Sequence, residues 1–313
     1  MSLATLPVPV DERAVVHSPT GYRRALAAVV EMGIVAGFYQ WYSVGRFWAG
    51  SSTAAAQRNA MHVVAWERAL GIFNESAVQA AVIVHPALMR AAATYYGTAH
   101  FIVPVVALVV LYRRDRTRYL TWRNALAWTS VVAVVAFALF PTMPPRLLPA
   151  GFHFSDVTAP GVDRPLVPAL YNGFAAMPSL HAAYAAWAAF ALWPLLRRRW
   201  TRALLVAHFV AIVAVVIVTA NHFYLDVVGG LVVLAAGVFI ARHRPVRPHT
   251  SALLAGGLLV GAALFVWRPR GAAVPLMLDV VGAVAIAALY LAARQVPWGD
   301  TASSESVHEK VAA

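Results

Sequence analysis

Of the 313 residues, 61% are hydrophobic and 12% charged, and a mean hydropathy of +0.67 excludes an ordinary soluble domain. A formal net charge of +12 would suggest nucleic acid in a soluble chain, but Arg supplies nearly all of it from short clusters between apolar runs, so no nucleic-acid partner is expected. Cysteine is absent, which excludes disulfides and thiol chemistry.

A helix needs about 20 apolar residues to cross a bilayer. Runs of that character begin at 25–42, where Glu31, Tyr39 and Arg46 mark an uncleaved anchor although the small residues of AGSSTAAA at 49–56 would suit a signal-peptide cleavage site. They continue at 101–112, extended to full length by 91–100, and at 124–140, 181–196, 203–220, 225–240, 251–267 and 274–292. Because hydrocarbon cannot satisfy backbone amides, these are read as helices, and the fold class as an all-α polytopic membrane bundle of about eight spans. The arginine clusters are Arg23 and Arg24; Arg113, Arg114, Arg116, Arg118 and Arg123; Arg197, Arg198, Arg199 and Arg202; and Arg242, Arg244 and Arg247. The positive-inside rule puts all four on the cytoplasmic side together with both termini, and only the loop of Arg268 and Arg270 runs weakly against it. The preference for Arg over Lys and the abundance of Ala and Val point to a bacterial source of high GC content.

Two long segments do not span. Within 51–95, HVVAWERALGIF and ESAVQAAVIVHPALM carry apolar residues at helical spacing among charges and are read as helices lying over the bundle. A structural lid competes there with a direct role for Glu67 or Glu75 in substrate contact. The segment 141–176 opens PTMPPRLLPAGFHFSD, whose prolines forbid a continuing helix. The arginine topology puts this loop, the start of the helix near Pro178 and the short turn ANHFYLD on one outer membrane face. Three polar constellations far apart in sequence are thereby expected to meet.

His222 and Asp226 lie four residues apart, on one helical face. Asp226 can accept a hydrogen bond from one imidazole nitrogen, which fixes the tautomer and leaves the other nitrogen as nucleophile or base. Ionisable residues at a membrane edge are costly and tend to be functional. His181 follows Pro178, read as the first helical residue, and the free amides there, with Ser179, are read as a phosphate seat. Arg146 can grip phosphate oxygens bidentately, against the alternative of an interfacial arginine meeting lipid headgroups. These parts suggest phosphoryl transfer through His222, with His181 protonating the departing alkoxide and then serving as base. No metal or other cofactor is required. A competing reading makes His181, His222 and Asp226 metal ligands, but no HExxH and no second carboxylate cluster accompanies them.

PSLH at 178–181 and HFYLD at 222–226 resemble the Pro-Ser-x-His and His-x-x-x-Asp motifs of the type 2 phosphatidic acid phosphatase superfamily of membrane phosphatases and phosphotransferases. The resemblance implies a six-helix catalytic core within 23–245, with His222 as nucleophile, Asp226 as its orienting carboxylate and His181 as acid. A cytoplasmic tail at 1–22, two additional helices within 246–296 and a disordered cytoplasmic tail at 297–313 flank that core. PTMPPRLLP at 141–149, TANHFYLDVVGG at 219–230, YYGTAHF at 95–101, RNAL at 123–126 and the 39–46 end of the first span are similar to the branch containing inositol phosphorylceramide synthase and other inositolphosphotransferases. That implies transfer of a polar phosphoryl headgroup of a phospholipid or polyprenyl or sugar phosphate to an alcohol acceptor at the extracytoplasmic face. Hydrolysis of a lipid phosphate is the alternative, and a non-catalytic transporter or scaffold is the alternative of another class.

The chain departs from the superfamily pattern twice. The Lys-rich first motif is absent, with PPR at 144–146 in its place, and the Ser-Arg pair that precedes the nucleophile falls on Val215 and Val216. Asn221, Tyr95, His100 and Arg46 are the further substrate-binding candidates, and Gly229 with Gly230 is expected to allow close helix approach.

Overall fold

A computed structural model describes residues 26–35, 52–157 and 173–243, and among them the regular structure is helical, with a single isolated bridge between Thr142 and Ala175. The helices are α1 (Leu26–Val35), α2 (Thr53–Ala69), α3 (Glu75–Ile83), α4 (Pro86–Arg114), α5 (Arg116–Leu139), α6 (Leu180–Leu192), α7 (Arg199–Val218) and α8 (Tyr224–His243). Of these, α4, α5, α7 and α8 are long and apolar enough to cross a membrane. The expected spans at 251–267 and 274–292, the terminal tails and Arg46 lie outside the described residues.

The expected extension of the 101–112 run is realised in the 29 residues of α4. By contrast α6 is 13 residues long, about 20 Å, well short of a hydrocarbon layer of about 30 Å. The expected span at 181–196 is thus cut: the chain passes into a 3-10 turn, Trp193–Leu195, with Pro194 inside it. Arg118 closes the helix end, its Nε donating to the Ala191 carbonyl at 2.7 Å and its Nη2 to that of Phe190 at 3.1 Å. Ala182, Ala183, Ala185, Ala186, Ala188 and Ala191 are buried, so small side chains let neighbouring helices crowd around this short central rod.

α5 starts eight residues before the expected boundary because Asp115 caps it, its carboxylate accepting from the Arg118 amide at 2.8 Å. Arg116, Arg118 and Arg123 are therefore helical rather than loop residues, which corrects the reading of that arginine cluster as an inter-span loop. Arg123 is buried and donates from Nη1 to Glu31 at 2.7 Å, while the Tyr119 hydroxyl donates to the same oxygen at 2.7 Å. The acid that looked out of place in the first apolar run is answered by α5.

Helix directions alternate, so the chain ends of α5 and α7 and the starts of α6 and α8 share one end of the bundle. α2 and α3 pack there: Asn59 Nδ2 donates to the Pro141 carbonyl at 2.8 Å, and Gln79 makes paired 2.9 Å hydrogen bonds to the backbone of Ser155. The basic ends of α4 and α8, and the basic start of α7, mark the opposite end.

Candidate active site

Two helix starts and one helix end build the site. α7 closes in a Schellman arrangement, with the Ala220 amide donating to Ile217 at 2.8 Å and the Asn221 amide to Val216 at 3.1 Å. Ala220 sits at the left-handed position with φ of 51°, where glycine is usual. The Val216 carbonyl also accepts the His222 amide at 3.2 Å. The residue standing where the superfamily pattern has Arg thus contributes its backbone, while its side chain is buried.

His222 is buried, and its Nδ1 faces the Ala176 carbonyl at 2.8 Å and Oδ2 of Asp226 at 3.3 Å. Both are acceptors, so Nδ1 carries the ring proton and Nε2 keeps its lone pair. Nε2 lies 3.3 Å from Nδ1 of His181. Asp226 Oδ2 also accepts the Phe223 amide at 2.9 Å, so the carboxylate closes the turn that it shares with His222. Ala176 is held in turn by its amide, which donates to Thr142 at 3.1 Å.

Ser179, rather than Pro178, starts the second element. It is the N-cap of α6, its Oγ accepting from the Ala182 amide at 3.5 Å, and its own amide donates to the Asp226 carbonyl at 2.8 Å. Two amides expected to seat phosphate are therefore engaged within the protein, and buried Ser179 serves as the joint between α6 and α8. The joint is close because Gly230 has no side chain, and a Cβ there would fall on the Ser179 carbonyl.

His181 stacks on Tyr96 with ring centroids 4.2 Å apart and meets His100 edge-on at 4.3 Å. His100 turns its Nδ1 to the Tyr96 carbonyl at 2.8 Å. Tyr95 faces elsewhere: its hydroxyl bonds Nδ1 of His208 at 2.6 Å in an apolar groove between α4 and α7. Tyr96 is the aromatic neighbour that sequence reasoning missed, although its spacing of four from His100 offered the signal.

Arg146 joins the 219–222 loop by two bonds. Its amide donates to the Ala220 carbonyl at 2.9 Å and its Nε to Oδ1 of Asn221 at 2.8 Å, while Nη1 pairs with Asp156 at 3.4 Å. Asn221 Nδ2 is spent on the Thr219 hydroxyl at 3.0 Å. Asn221 thus orients Arg146, a different task from the direct substrate contact expected of it. The structure brings together His181, His222, Asp226, Ser179, Asn221, Arg146 and His100, and leaves Tyr95 apart.

The helical bundle thus gathers two histidines and a carboxylate at one of its ends. The chain matches the family model described as the PAP2 superfamily over residues 61–240, more than half its length, and belongs to that superfamily. The match runs from within α2 to three residues before the end of α8 and omits the first apolar run that the resemblance had included. No curated protein and no solved structure matches the chain.

Proposed function

We propose that this chain is a metal-independent histidine phosphotransferase that moves a phosphate-bearing group from a phospholipid, polyprenyl phosphate or sugar phosphate to an alcohol, in the manner of the inositolphosphotransferases. The observation that carries the reading is the His222 ring, its Nδ1 held by two acceptors and its Nε2 aimed at His181 across 3.3 Å. The lone pair on Nε2 attacks phosphorus and the bond to the leaving oxygen breaks, with His181 delivering the proton to that oxygen. Arg146 neutralises charge on the equatorial oxygens. In the second half-reaction an alcohol attacks the phosphohistidine and His181 takes its proton. Water in place of the alcohol gives hydrolysis. The alternation of basic and site-bearing bundle ends supports an extracytoplasmic site, with the termini cytoplasmic in the cell membrane.

The test uses purified protein and phosphate-labelled phosphatidate, with and without inositol or glycerol, and with and without chelator. Label trapped on wild-type protein and absent from His222→Ala is expected, with turnover indifferent to chelator. Product appearing on the added alcohol identifies transfer, and free phosphate alone identifies a phosphatase. Trapping that survives His222→Ala removes the nucleophile assignment.

A further inference from the structure

Two carboxylates on the overlying helices meet the start of the helix that bears the nucleophile's partner. Glu67 of α2 and Glu75 of α3 are fully buried. Oε1 of Glu67 accepts the Leu225 amide at 2.7 Å, and Oε1 of Glu75 accepts the Tyr224 amide at 3.3 Å. These are first-turn donors of α8, which have no partner within their own helix. Two elements distant in sequence thus supply caps that a local side chain usually provides. Tyr224 adds a third tie, its hydroxyl donating to Asn74 at 3.1 Å just before α3.

The outer oxygens, Oε2 of Glu67 and Oε2 of Glu75, are both buried and have no donor. The two carboxyl groups cap consecutive amides of one buried turn, where two ionised carboxylates would repel each other with little screening. A proton between them satisfies both orphan atoms at once. We infer that Glu67 and Glu75 share one proton and form a singly charged clamp that holds the first turn of α8, and with it Asp226 and His222, in register for phosphoryl transfer. The clamp's one negative charge sits at the positive end of the α8 dipole. Around the two carboxyl groups, the titratable groups are Asp226 and Tyr224, both from α8, and among the described residues neither Glu67 nor Glu75 makes an ion pair. Burial and the second carboxyl push Glu67 up to about 9.

The kinetic arm of the test rests on His222 as nucleophile, and the stability arm does not. A carboxyl raised in the fold from 4.5 to about 9 stabilises fully below the lower value, and that stabilisation is lost as pH rises through the upper one. Thermal midpoints of the full-length protein in detergent, measured from pH 5 to 10, should therefore fall toward alkaline pH in wild type. In Glu67→Gln, whose amide donates to Glu75 without a proton to lose, the fall is largely removed. With labelled dioctanoyl phosphatidate, Glu67→Ala is expected to lower kcat roughly tenfold to hundredfold with KM changed less than about twofold, and Glu67→Gln to recover most of that loss. An alkaline slope in Glu67→Gln equal to that of wild type overturns the clamp, as does a Glu67→Ala effect confined to KM. If Glu67→Ala does not fold, the Glu67→Gln midpoints decide. Wild-type protein inert toward phosphatidate but showing the midpoint difference keeps the clamp and rejects the proposed reaction.

Discussion

The Nε2 atom of His222 lies 3.3 Å from Nδ1 of His181. Since Nδ1 of His222 already donates to Ala176 and Asp226, Nε2 is the acceptor in this pair and His181 the donor. In the proposed reaction a phosphoryl group enters between these two nitrogens. His222→Ala is expected to lower turnover at least about 10⁴-fold, and His181→Asn about 10²–10⁴-fold. The two differ with leaving group. Against p-nitrophenyl phosphate, whose phenolate leaves without protonation, the His181→Asn deficit should shrink while the His222→Ala deficit persists. Equal deficits on alkyl and nitrophenyl substrates reject His181 as the acid.

The tautomer of His222 is held twice, at 2.8 Å by the Ala176 carbonyl and at 3.3 Å by Asp226. Asp226→Asn leaves the shorter bond intact, so the ring proton stays on Nδ1, and what is lost is the negative charge facing a ring that becomes cationic when phosphorylated. The expected deficit is about 10²–10³-fold in kcat, the size of one lost electrostatic stabiliser. Steady-state rates and the level of trapped phosphohistidine check it. A deficit matching His222→Ala means that Ala176 does not orient the ring.

The His222–Asp226 contact was legible from residue type and short spacing, but it is made across the turn rather than along one helical face, because His222 lies two residues before α8 begins. The convergence of three distant segments was legible from arginine positions, since alternating spans leave few arrangements. Local competition for donors was not. Ser179 spends its oxygen on its own helix, and Asn221 spends both ends of its amide on Arg146 and Thr219, choices that depend on neighbours up to 75 residues away. α6 read as a full span because LHAAYAAWAAFAL is as apolar as a spanning helix. Its length is set by Pro194 and by Arg118 from another helix.

Arg146 is set by its Nε bond to Asn221 and shares Nη1 with Asp156, a half-exposed carboxylate that would compete with the phosphate of the proposed substrate. Arg146→Lys keeps the charge and loses both the fork and the Asn221 anchor, so kcat/KM is expected to fall roughly tenfold to hundredfold. Asp156→Ala frees the guanidinium from a solvent-screened partner, so KM should fall by up to about fivefold, the value of an exposed pair. A rise in KM would instead make Asp156 part of the substrate seat.

At the opposite end, Glu31 and Arg123 are 2.7 Å apart and almost fully buried. Arg123→Met strands the Glu31 carboxylate with Tyr119 and Arg116, and removing one partner of such a pair costs about 3–5 kcal/mol. The thermal midpoint should drop sharply, and the double variant Glu31→Gln with Arg123→Met should recover most of it. A double variant no more stable than the single one shows that the pair is not the unit.

Gly229 and Gly230 are neighbours with opposite expectations. A Cβ on Gly229 meets Pro178 and Met177 at 3.4–3.5 Å, ordinary contact, whereas one on Gly230 falls on the carbonyl of Ser179. That carbonyl belongs to rigid backbone, held by the Ser179 amide on Asp226 at 2.8 Å and by the Ala183 amide on its own oxygen at 3.1 Å. No flexible side chain can give way, so Gly230→Ala must push α8 from the start of α6, the joint that sets His181 against His222. Overpacking of this kind costs about 1–3 kcal/mol, and a shift near 1 Å between reacting groups can cost about 10²-fold in rate. Gly229→Ala should therefore keep near-native kcat and midpoint, while Gly230→Ala loses roughly a hundredfold in kcat with a smaller change in KM. Equal tolerance at both positions means that α6 and α8 are not held by this contact.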